Sequence, residues 1–238
     1  MKTTISAFKS VPSLPEQAIV LIFDLEGFSK FFSHPDISEY VPKFLNLIIQ
    51  EIDATIKGES PCWAVDIDEE PMYIPKLPEV IHSKFLGDGC LYIWRYNDFT
   101  EQQRLDLIST FWLLKLKYKR ILKKASEEIP FTDIPKNIRF GISAGTIYNL
   151  SYENAESEEY IGYSINLASR LQSYCRDIGF VVSGRLNIKS ADLVQGQFIK
   201  VVASKIKGFP EEMVIIDERE YEDLDENLKA ELFNPVKE

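Results

Sequence analysis

The order of apolar segments predicts an α+β domain with helices on one face of a mainly antiparallel sheet. Three observations support this fold class. The run from Ala18 to Phe23 is apolar throughout, which is typical of a buried strand. Two further strand-like runs flank Gly87-Asp88-Gly89, and an Asp-Gly step between apolar runs is a hairpin signal. A long amphipathic segment then precedes another strand, so strands and helices alternate without an internal repeat.

The elements follow in chain order. After the first strand, residues 27–34 predict a short helix that Pro35-Asp36 ends, and Ser38 is expected to cap a longer helix reaching about Ile56. The same periodicities predict strands over 79–86 and 90–95, a helix over 101–126, a strand over 138–145, a helix over 162–176, and short strands near 180 and over 198–203. The helix over 101–126 carries an apolar stripe made of Leu105, Ile108, Phe111, Trp112 and Leu116.

Three segments stand apart from this pattern. Residues 59–78 contain four prolines and an acidic patch, so we interpret them as an irregular insertion near a dimer edge or a base pocket. The lysine-rich stretch over 115–124 is expected to be a solvated helix face. The acidic residues 217–223 are also expected to be solvated. We therefore expect one domain over 1–238, with its core over about 18–216 and an acidic tail over 217–238.

Composition excludes several classes of function. A formal net charge of −10 over 238 residues argues against general affinity for nucleic acid, which needs clustered cations. No apolar run is long enough for a membrane span, and the first residues lack a signal-peptide core. Cys62, Cys90 and Cys175 have no metal-type spacing, which favours reduced thiols in the cytoplasm. With only His34 and His82 present, neither a zinc site nor a serine triad is supported.

Asp24 and Asp88 are the strongest candidates for chemistry. Each lies at the end of a strand-like run beside a turn that contains glycine. Mg²⁺ is typically held by one or two carboxylates together with substrate phosphates, and such a pair is the minimum for two-metal phosphoryl chemistry. The alternative is structural, with Asp24 capping the next helix and Asp88 occupying a hairpin turn.

Asn166 and Arg170 form a second candidate pair. Four residues apart, they project from one face of the helix predicted over 162–176. A guanidinium can stabilise the charge of a phosphoryl centre, and an amide can fix a hydroxyl or ring oxygen. Alone, such a pair is more often a surface pair. Lys207 precedes a glycine turn and could reach a triphosphate, although a lone lysine in a turn is usually just solvated.

Five motifs in order resemble the class III nucleotidyl (adenylate/guanylate) cyclase catalytic domain, over roughly residues 18–216. They are Phe-Asp-Leu-Glu-Gly-Phe-Ser (23–29), Lys-Phe-Leu-Gly-Asp-Gly (84–89), Gly-Ile-Ser-Ala-Gly (141–145), Gly-Tyr-Ser-Ile-Asn-Leu-Ala-Ser-Arg (162–170) and Lys-Ile-Lys-Gly (205–208). Each is weak alone, but the set has family-like order and spacing. The resemblance implies a ferredoxin-like cyclase domain in which the ribose 3′-oxygen attacks the α-phosphorus and pyrophosphate leaves.

The resemblance also implies a role for each matching position. Asp24 and Asp88, with the Leu25 carbonyl, match the ligands of two Mg²⁺ or Mn²⁺ ions. Asn166 and Arg170 match the transition-state pair, and Lys207 matches the lysine that contacts the triphosphate. The turn after Asp24 is expected to offer backbone N–H groups to the phosphates, as helix N-termini do. Those groups belong to Leu25, Glu26, Gly27, Phe28 and Ser29.

Two further implications concern assembly and substrate. In the family, the metal aspartates and the Asn/Arg pair come from opposite subunits, which implies a head-to-tail homodimer with two composite sites. Lys84 and Glu159 match the two base-reading positions. Lys84 matches the lysine of the adenylate type, but lysine with glutamate fits neither purine pattern cleanly. Tyr163 replaces a residue that is often polar, so its ring would narrow the base pocket unless it points elsewhere.

The helix motif and the free-standing domain look most like the bacterial Pycsar pyrimidine (uridylate/cytidylate) cyclases. Those enzymes act in anti-phage defence, making cyclic UMP or cyclic CMP for an effector with a cyclic-nucleotide-binding domain. A stand-alone adenylate cyclase is the first alternative. A catalytically dead cyclase-like binding module is the second, and the presence of every matching side chain argues against it.

Overall fold

Strand β1 (Glu16–Glu26) lies at the centre of the sheet, because its apolar residues can be covered on both faces. It pairs antiparallel with β3 (Gly89–Arg95) on one side and with β4 (Asn137–Ser151) on the other. In this register Asp24 lies opposite Gly89 of β3 and Arg139 of β4. The pairing therefore brings the end of β1 beside the turn that precedes β3.

The computed structural model describes residues 7–9, 13–33, 37–65, 70–130, 133–152 and 158–236. The other strands are β2 (His82–Phe85), β5 (Glu158–Gly162), β6 (Phe180–Ser183), β7 (Phe198–Ala203), β8 (Glu212–Asp217) and β9 (Phe233–Asn234). The helices are α1 (Phe28–Phe32), α2 (Tyr40–Lys57), α3 (Glu101–Glu128), α4 (Tyr163–Gln172), α5 (Glu218–Glu222) and α6 (Glu226–Leu232). Among the described residues the strand order is β2-β3-β1-β4-β6-β8-β7-β9, with β5 paired to β4. Only the pairing of β4 with β6 is parallel there.

The two faces of the sheet are covered by different helices. On one face, Ile19, Leu21 and Phe23 of β1 pack in the core that α2 and α3 share. On the other face, Val20 and the neighbouring apolar residues of β1 pack against Ala168 of α4. The expected α+β class with a mainly antiparallel sheet is confirmed. The expectation that all helices lie on one face is wrong for α4.

Gly141 of β4 explains how α4 approaches the sheet so closely. A Cβ atom at Gly141 would lie 2.1 Å from the Ala168 carbonyl oxygen and 2.4 Å from the Gln172 nitrogen. Any side chain there would push the helix outward, because both neighbours are backbone atoms. Gly141, the first glycine of the Gly-Ile-Ser-Ala-Gly motif, therefore sets the distance between α4 and β4.

Several predicted elements are confirmed with adjusted ends. The predicted helix over 101–126 is α3, which Thr100 and Gln103 start with a capping box. Its stripe is buried except at Leu116, which is 49% exposed, and Leu105, which is partly buried. Ser38 is not the helix cap, because it lies in a 3-10 turn (Ile37–Glu39) before α2. The predicted break at Pro35-Asp36 lies outside the described residues, whereas β5, β8 and β9 were not predicted at all.

The described part of the insertion packs onto the layer formed by α2 and α3. Trp63 is fully buried, and its indole Nε1 donates a hydrogen bond to Thr55 Oγ1 of α2 at 2.9 Å. Arg120 of α3 donates from Nη1 to the Trp63 carbonyl at 3.1 Å. The described part of the insertion therefore contributes to the core, and its location near a dimer edge or a base pocket stays a prediction. Most of its acidic patch, residues 66–69, lies outside the described residues.

The segment after β8 is folded, so the expectation of a solvated acidic tail is wrong at its start. Asp217 is 2% exposed and accepts a hydrogen bond from the Trp112 indole at 2.8 Å. Lys115 forms ion pairs with both Asp217 and Glu220, so this lysine is not part of a solvated face either. Phe233 is buried with the residues of β7 and β8. Within the described residues, no helix is long and apolar enough to span a membrane.

Candidate active site

Asp24 and Asp88 lie together at the end of β1, as the sequence predicts. The Leu25 N–H donates to the Asp88 carbonyl at 3.0 Å, which ties the β2–β3 turn to the strand. Gly89 permits this contact, because a Cβ there would lie 1.8 Å from the Phe23 carbonyl oxygen. Burial raises the pKa of the Asp88 carboxyl, and the nearby charge of Asp24 raises it further. The two carboxylates therefore repel each other in the absence of a cation.

Two side chains that sequence reasoning missed hold the Asp24 carboxylate. Arg139 of β4 donates from Nη2 to Asp24 Oδ2 at 2.9 Å, and Gln172 at the end of α4 donates from Nε2 to the same oxygen at 2.8 Å. Both bonds converge on Oδ2, and Oδ1 accepts no hydrogen bond from the described residues. A charged residue between Ile138 and Phe140 of an apolar strand was the available signal for Arg139.

These side chains fit a hard divalent cation whose remaining ligands come from a bound substrate and from water. No group of three or more His, Cys, Asp or Glu side chains that could hold a metal occurs among the described residues, so a metal at Asp24 and Asp88 would need further ligands from elsewhere. Two carboxylates of like charge at one strand end match the way Mg²⁺ is bound, with water and phosphates completing the shell. The Leu25 carbonyl as a further ligand stays a prediction.

The turn after Asp24 supports part of the predicted phosphate contact. Gly27 adopts the left-handed conformation with φ 85°, and α1 begins directly after it. Phe28 and Ser29 are the first residues of α1, where N–H groups have no acceptor within the helix. The Leu25 N–H already donates to the Asp88 carbonyl, so this group is not free for a phosphate in the structure. The Glu26 carboxylate accepts hydrogen bonds from Asn137 at 2.8 Å and Arg176 at 3.3 Å, and the Asn137 bond is the main cause of its lowered pKa.

A cavity of about 640 Å³ adjoins this strand end. Its cationic lining consists of Lys115, Lys119, Lys136, Arg139 and Arg176, and its acidic lining consists of Glu26, Asp177 and Glu220. Arg139 lines the cavity and also donates a hydrogen bond to Asp24, so the cavity borders the aspartate site. Cations in this position suit the anionic part of a substrate.

Asn166 and Arg170 lie on the exposed face of α4, and their side chains form no hydrogen bond or ion pair with the described residues. The opposite face of the helix is buried, and it includes Leu167, Leu171 and Gln172. Gln172 lies about 200° around the helix from Arg170. Because Gln172 contacts Asp24, the Asn166–Arg170 pair points away from the aspartates of its own chain.

Lys84 of β2 and Glu159 of β5 lie side by side, and their base-reading role stays a prediction. Lys84 Nζ lies 2.7 and 2.6 Å from the two carboxylate oxygens of Glu159. The pair is open to solvent, with the side chains 45% and 27% exposed. Beside it the ring of His82 lies 4.9 Å from that of Tyr160, and burial lowers the pKa of His82. The side chains present one cationic donor and one anionic acceptor next to each other.

Tyr163 and Lys207 lie near the start of α4, at the opposite end of the helix from Gln172. The Tyr163 ring contacts Phe209 and Arg185, so the expected narrowing of the base pocket by this ring is not supported. Lys207 is exposed on the turn between β7 and β8.

The fold is that of nucleotide cyclase catalytic domains. A solved guanylyl cyclase, Cya2, aligns with a TM-score of 0.61 at 18% identity, covering 87% of this chain and 93% of that chain. The adenylyl cyclase CyaB from P. aeruginosa also aligns with a TM-score of 0.61 at 18% identity, covering 87% and 97%. A bacterial light-regulated adenylyl cyclase gives 0.57 at 17% identity, covering 88% of this chain and 53% of its own. No protein-family model matches the sequence, and no curated protein matches it.

Proposed function

We propose that the protein is a nucleotide cyclase that converts a nucleoside triphosphate to its 3′,5′-cyclic monophosphate and pyrophosphate. The observation that carries the proposal is the way α4 divides the site. Its buried face holds the Asp24 carboxylate through Gln172, and its exposed face leaves Asn166 and Arg170 open to solvent.

This division requires two copies of the chain for one complete site. Asp24 and Asp88 of one copy would face Asn166 and Arg170 of the other, and a head-to-tail homodimer would contain two such sites. Each chain carries both halves, so no different partner is needed. The exposure of the helix pair in the single chain supports this assembly, because both side chains are left available for contact.

Each side chain then has a distinct task. The Arg170 guanidinium stabilises charge that develops on the α-phosphate, and Asn166 orients the ribose so that its 3′-oxygen is in line with the leaving pyrophosphate. Lys207 and Arg139 neutralise the β- and γ-phosphates, with N–H groups from the first turn of α1. Mg²⁺ or Mn²⁺ held by Asp24 and Asp88 would supply Lewis-acid chemistry, lowering the pKa of the 3′-hydroxyl and neutralising the triphosphate.

The finer proposal is that the substrate is UTP or CTP. Glu159 lies within hydrogen-bonding distance of Lys84 through both oxygens, so the pair offers a donor beside an acceptor. Uracil and cytosine each present the complementary acceptor and donor on neighbouring positions of one edge. Adenine and guanine also present an acceptor beside a donor, so this pair alone does not exclude a purine. Lys84 matches the lysine of the adenylate type, which makes ATP the second candidate and a cyclic AMP synthase the alternative.

In the pyrimidine case, the product would be a second messenger of the anti-phage type, read by an effector with a cyclic-nucleotide-binding domain. A binding module without activity is the least favoured function, because the two aspartates, the helix pair and Lys207 are all retained.

The deciding experiment incubates purified protein separately with ATP, GTP, CTP and UTP, with either Mg²⁺ or Mn²⁺, and identifies products by mass spectrometry. We expect cyclic UMP or cyclic CMP with stoichiometric pyrophosphate. Cyclic AMP as the main product would replace the pyrimidine proposal by the alternative. Absence of any cyclic nucleotide, at protein concentrations where a dimer is demonstrated, would overturn the cyclase proposal.

A further inference from the structure

A cation, two aromatic rings and a buried carboxylate connect the start of α4 to the turn that carries Lys207. These residues are Tyr163, Arg185, Phe209 and Glu212. Arg185 Nη2 donates to the Tyr163 hydroxyl at 3.2 Å, and its guanidinium carbon lies 4.7 Å from the centre of the Tyr163 ring. The Tyr163 ring meets Phe209 edge to face, with centroids 5.0 Å apart and planes at 79°. None of these contacts involves the metal aspartates or the base-reading pair.

The guanidinium of Arg185 is fixed from below by a buried acid. Glu212 is 5% exposed, and its two oxygens accept from Arg185 Nε at 2.8 Å and Nη2 at 3.2 Å. The Ser183 hydroxyl donates to the same carboxylate at 2.7 Å. A bidentate arginine–carboxylate pair restricts the orientation of the guanidinium as well as its position. The Arg185 guanidinium that contacts Tyr163 is therefore held in one orientation.

The turn over 204–210 is tight and anchored on both sides of Lys207. Lys205 has φ 57° and Gly208 has φ 84°, so two residues lie in the left-handed region. Ile206 is buried, and the Phe209 N–H donates to its carbonyl at 3.0 Å. Lys207 itself is exposed between these two anchors. A contact that holds the Phe209 ring therefore also restrains the backbone of the turn from which Lys207 projects.

We propose that Tyr163, held by Arg185, is a positioning residue that sets Lys207 relative to Asn166 and Arg170. Tyr163 is the first residue of α4, one helical turn before Asn166, so a single side chain touches both the helix and the turn. The inference rests on the proposed function, in which Lys207 contacts the triphosphate. It assigns the ring of Tyr163 to the phosphate end of the site, where the substrate's common part binds, rather than to recognition of the base.

The kinetic test compares Tyr163→Ala with Tyr163→Phe, alone and combined with Lys207→Ala. We expect Tyr163→Ala to raise the KM for the preferred nucleotide by about tenfold, because small displacements of a binding group are costly. Tyr163→Phe keeps the ring contact and should stay within about threefold of wild type. In the Lys207→Ala background, Tyr163→Ala should have little further effect, because the two act through one interaction. Tyr73→Ala, at a side chain 85% exposed, is the matched control.

A second measurement tests the positioning without any catalysis. Hydrogen exchange of the backbone amides over 204–209 should be at least about tenfold faster in Tyr163→Ala than in wild type, and close to wild type in Tyr163→Phe. Unchanged exchange in that segment, or effects of Tyr163→Ala and Lys207→Ala that simply multiply, would overturn the proposal. If no nucleotide is turned over at all, the proposed function fails, and the exchange result still decides whether Tyr163 holds the turn.

Discussion

The two halves of the candidate site are built in opposite ways. The half that contains the predicted metal ligands Asp24 and Asp88, called here the metal half, is assembled within the chain. Arg139 and Gln172 hold Asp24, and a backbone hydrogen bond ties the turn of Asp88 to β1. The helix half is left open, and the side chains of Asn166 and Arg170 make no polar contact with the described residues. The metal half is therefore preorganised in the single chain, whereas the side chains of the helix half are left without polar partners in the described part of the chain until another molecule contacts them.

Physical chemistry explains the difference. Two partly buried carboxylates lose hydration and repel each other, so they need fixed donors within the fold. An exposed guanidinium keeps its hydration and costs nothing until it is desolvated. In a water-excluded interface the same charge would act more strongly on a phosphoryl group, because the effective dielectric is lower. In the proposed composite site, the expected transition-state contact of Arg170 would therefore become strong only on assembly.

The largest expected effect comes from the metal half. Asp24→Asn and Asp88→Asn should each lower kcat by at least about a thousandfold, because metal-based charge stabilisation contributes several kcal/mol. Asp98→Asn, at an exposed position outside the site, is the control and should retain wild-type turnover. Stopped assays with the preferred nucleotide and Mn²⁺ measure the loss. Substantial turnover in either site variant would contradict the metal assignment.

Mixing variants tests the division of the site directly. Inactive Asp88→Asn protein and inactive Arg170→Ala protein, mixed in equal amounts, should regain about a quarter of wild-type activity. Half of the dimers would then be mixed, and each mixed dimer would contain one intact site of two. A mixture of Asp24→Asn with Asp88→Asn is the matched control, since both changes damage the same half and every site stays broken.

Failure of the first mixture, with subunit exchange demonstrated by differently tagged chains, would break the comparison. The two halves would then have to meet within one chain, against the direction in which α4 presents them.

Local patterns predicted Asp24, Asp88, Asn166 and Arg170, because each motif lies within one element and its adjoining turn. Their environment was not predictable in the same way. The bond from Gln172 to Asp24 joins residues that are 148 positions apart, and it depends on how closely α4 approaches β4 at Gly141. Such a contact follows from register and packing, which a single sequence does not display.

The same limit explains the errors in the fold. Asp217 belongs to an acidic run, so its sequence context indicates exposure. In the structure it is buried by Trp112 of α3, which is 105 positions away. Strand β5 begins with two glutamates and was missed because its side chains lie at a partly exposed ribbon. Long apolar elements were predicted well, whereas short strands with polar residues depend on their tertiary neighbours.

A smaller effect should come from the support of the metal half. Gln172→Met removes the donor to Asp24 Oδ2 at similar volume, and losing a bond that orients a metal ligand typically costs ten- to a hundredfold in affinity. We expect the Mn²⁺ concentration for half-maximal activity to rise by about thirtyfold, with kcat recovering at saturating metal. Gln195→Met, at an exposed position, controls for the side-chain change. Unchanged metal dependence would mean that Arg139 alone orients Asp24.

The smallest effect is expected at the base-reading pair, which lies in neither half. Glu159→Gln keeps the shape and one acceptor but removes the charge beside Lys84. An exposed ion pair contributes less than about 1 kcal/mol to stability, so the unfolding temperature should barely change. The ratio of kcat/KM between UTP or CTP and ATP should change measurably, by about two- to tenfold, because one of the donor–acceptor contacts weakens. Glu158→Gln is the neighbouring control, and an unchanged ratio would mean that the base is read elsewhere, with Lys84–Glu159 only a surface ion pair.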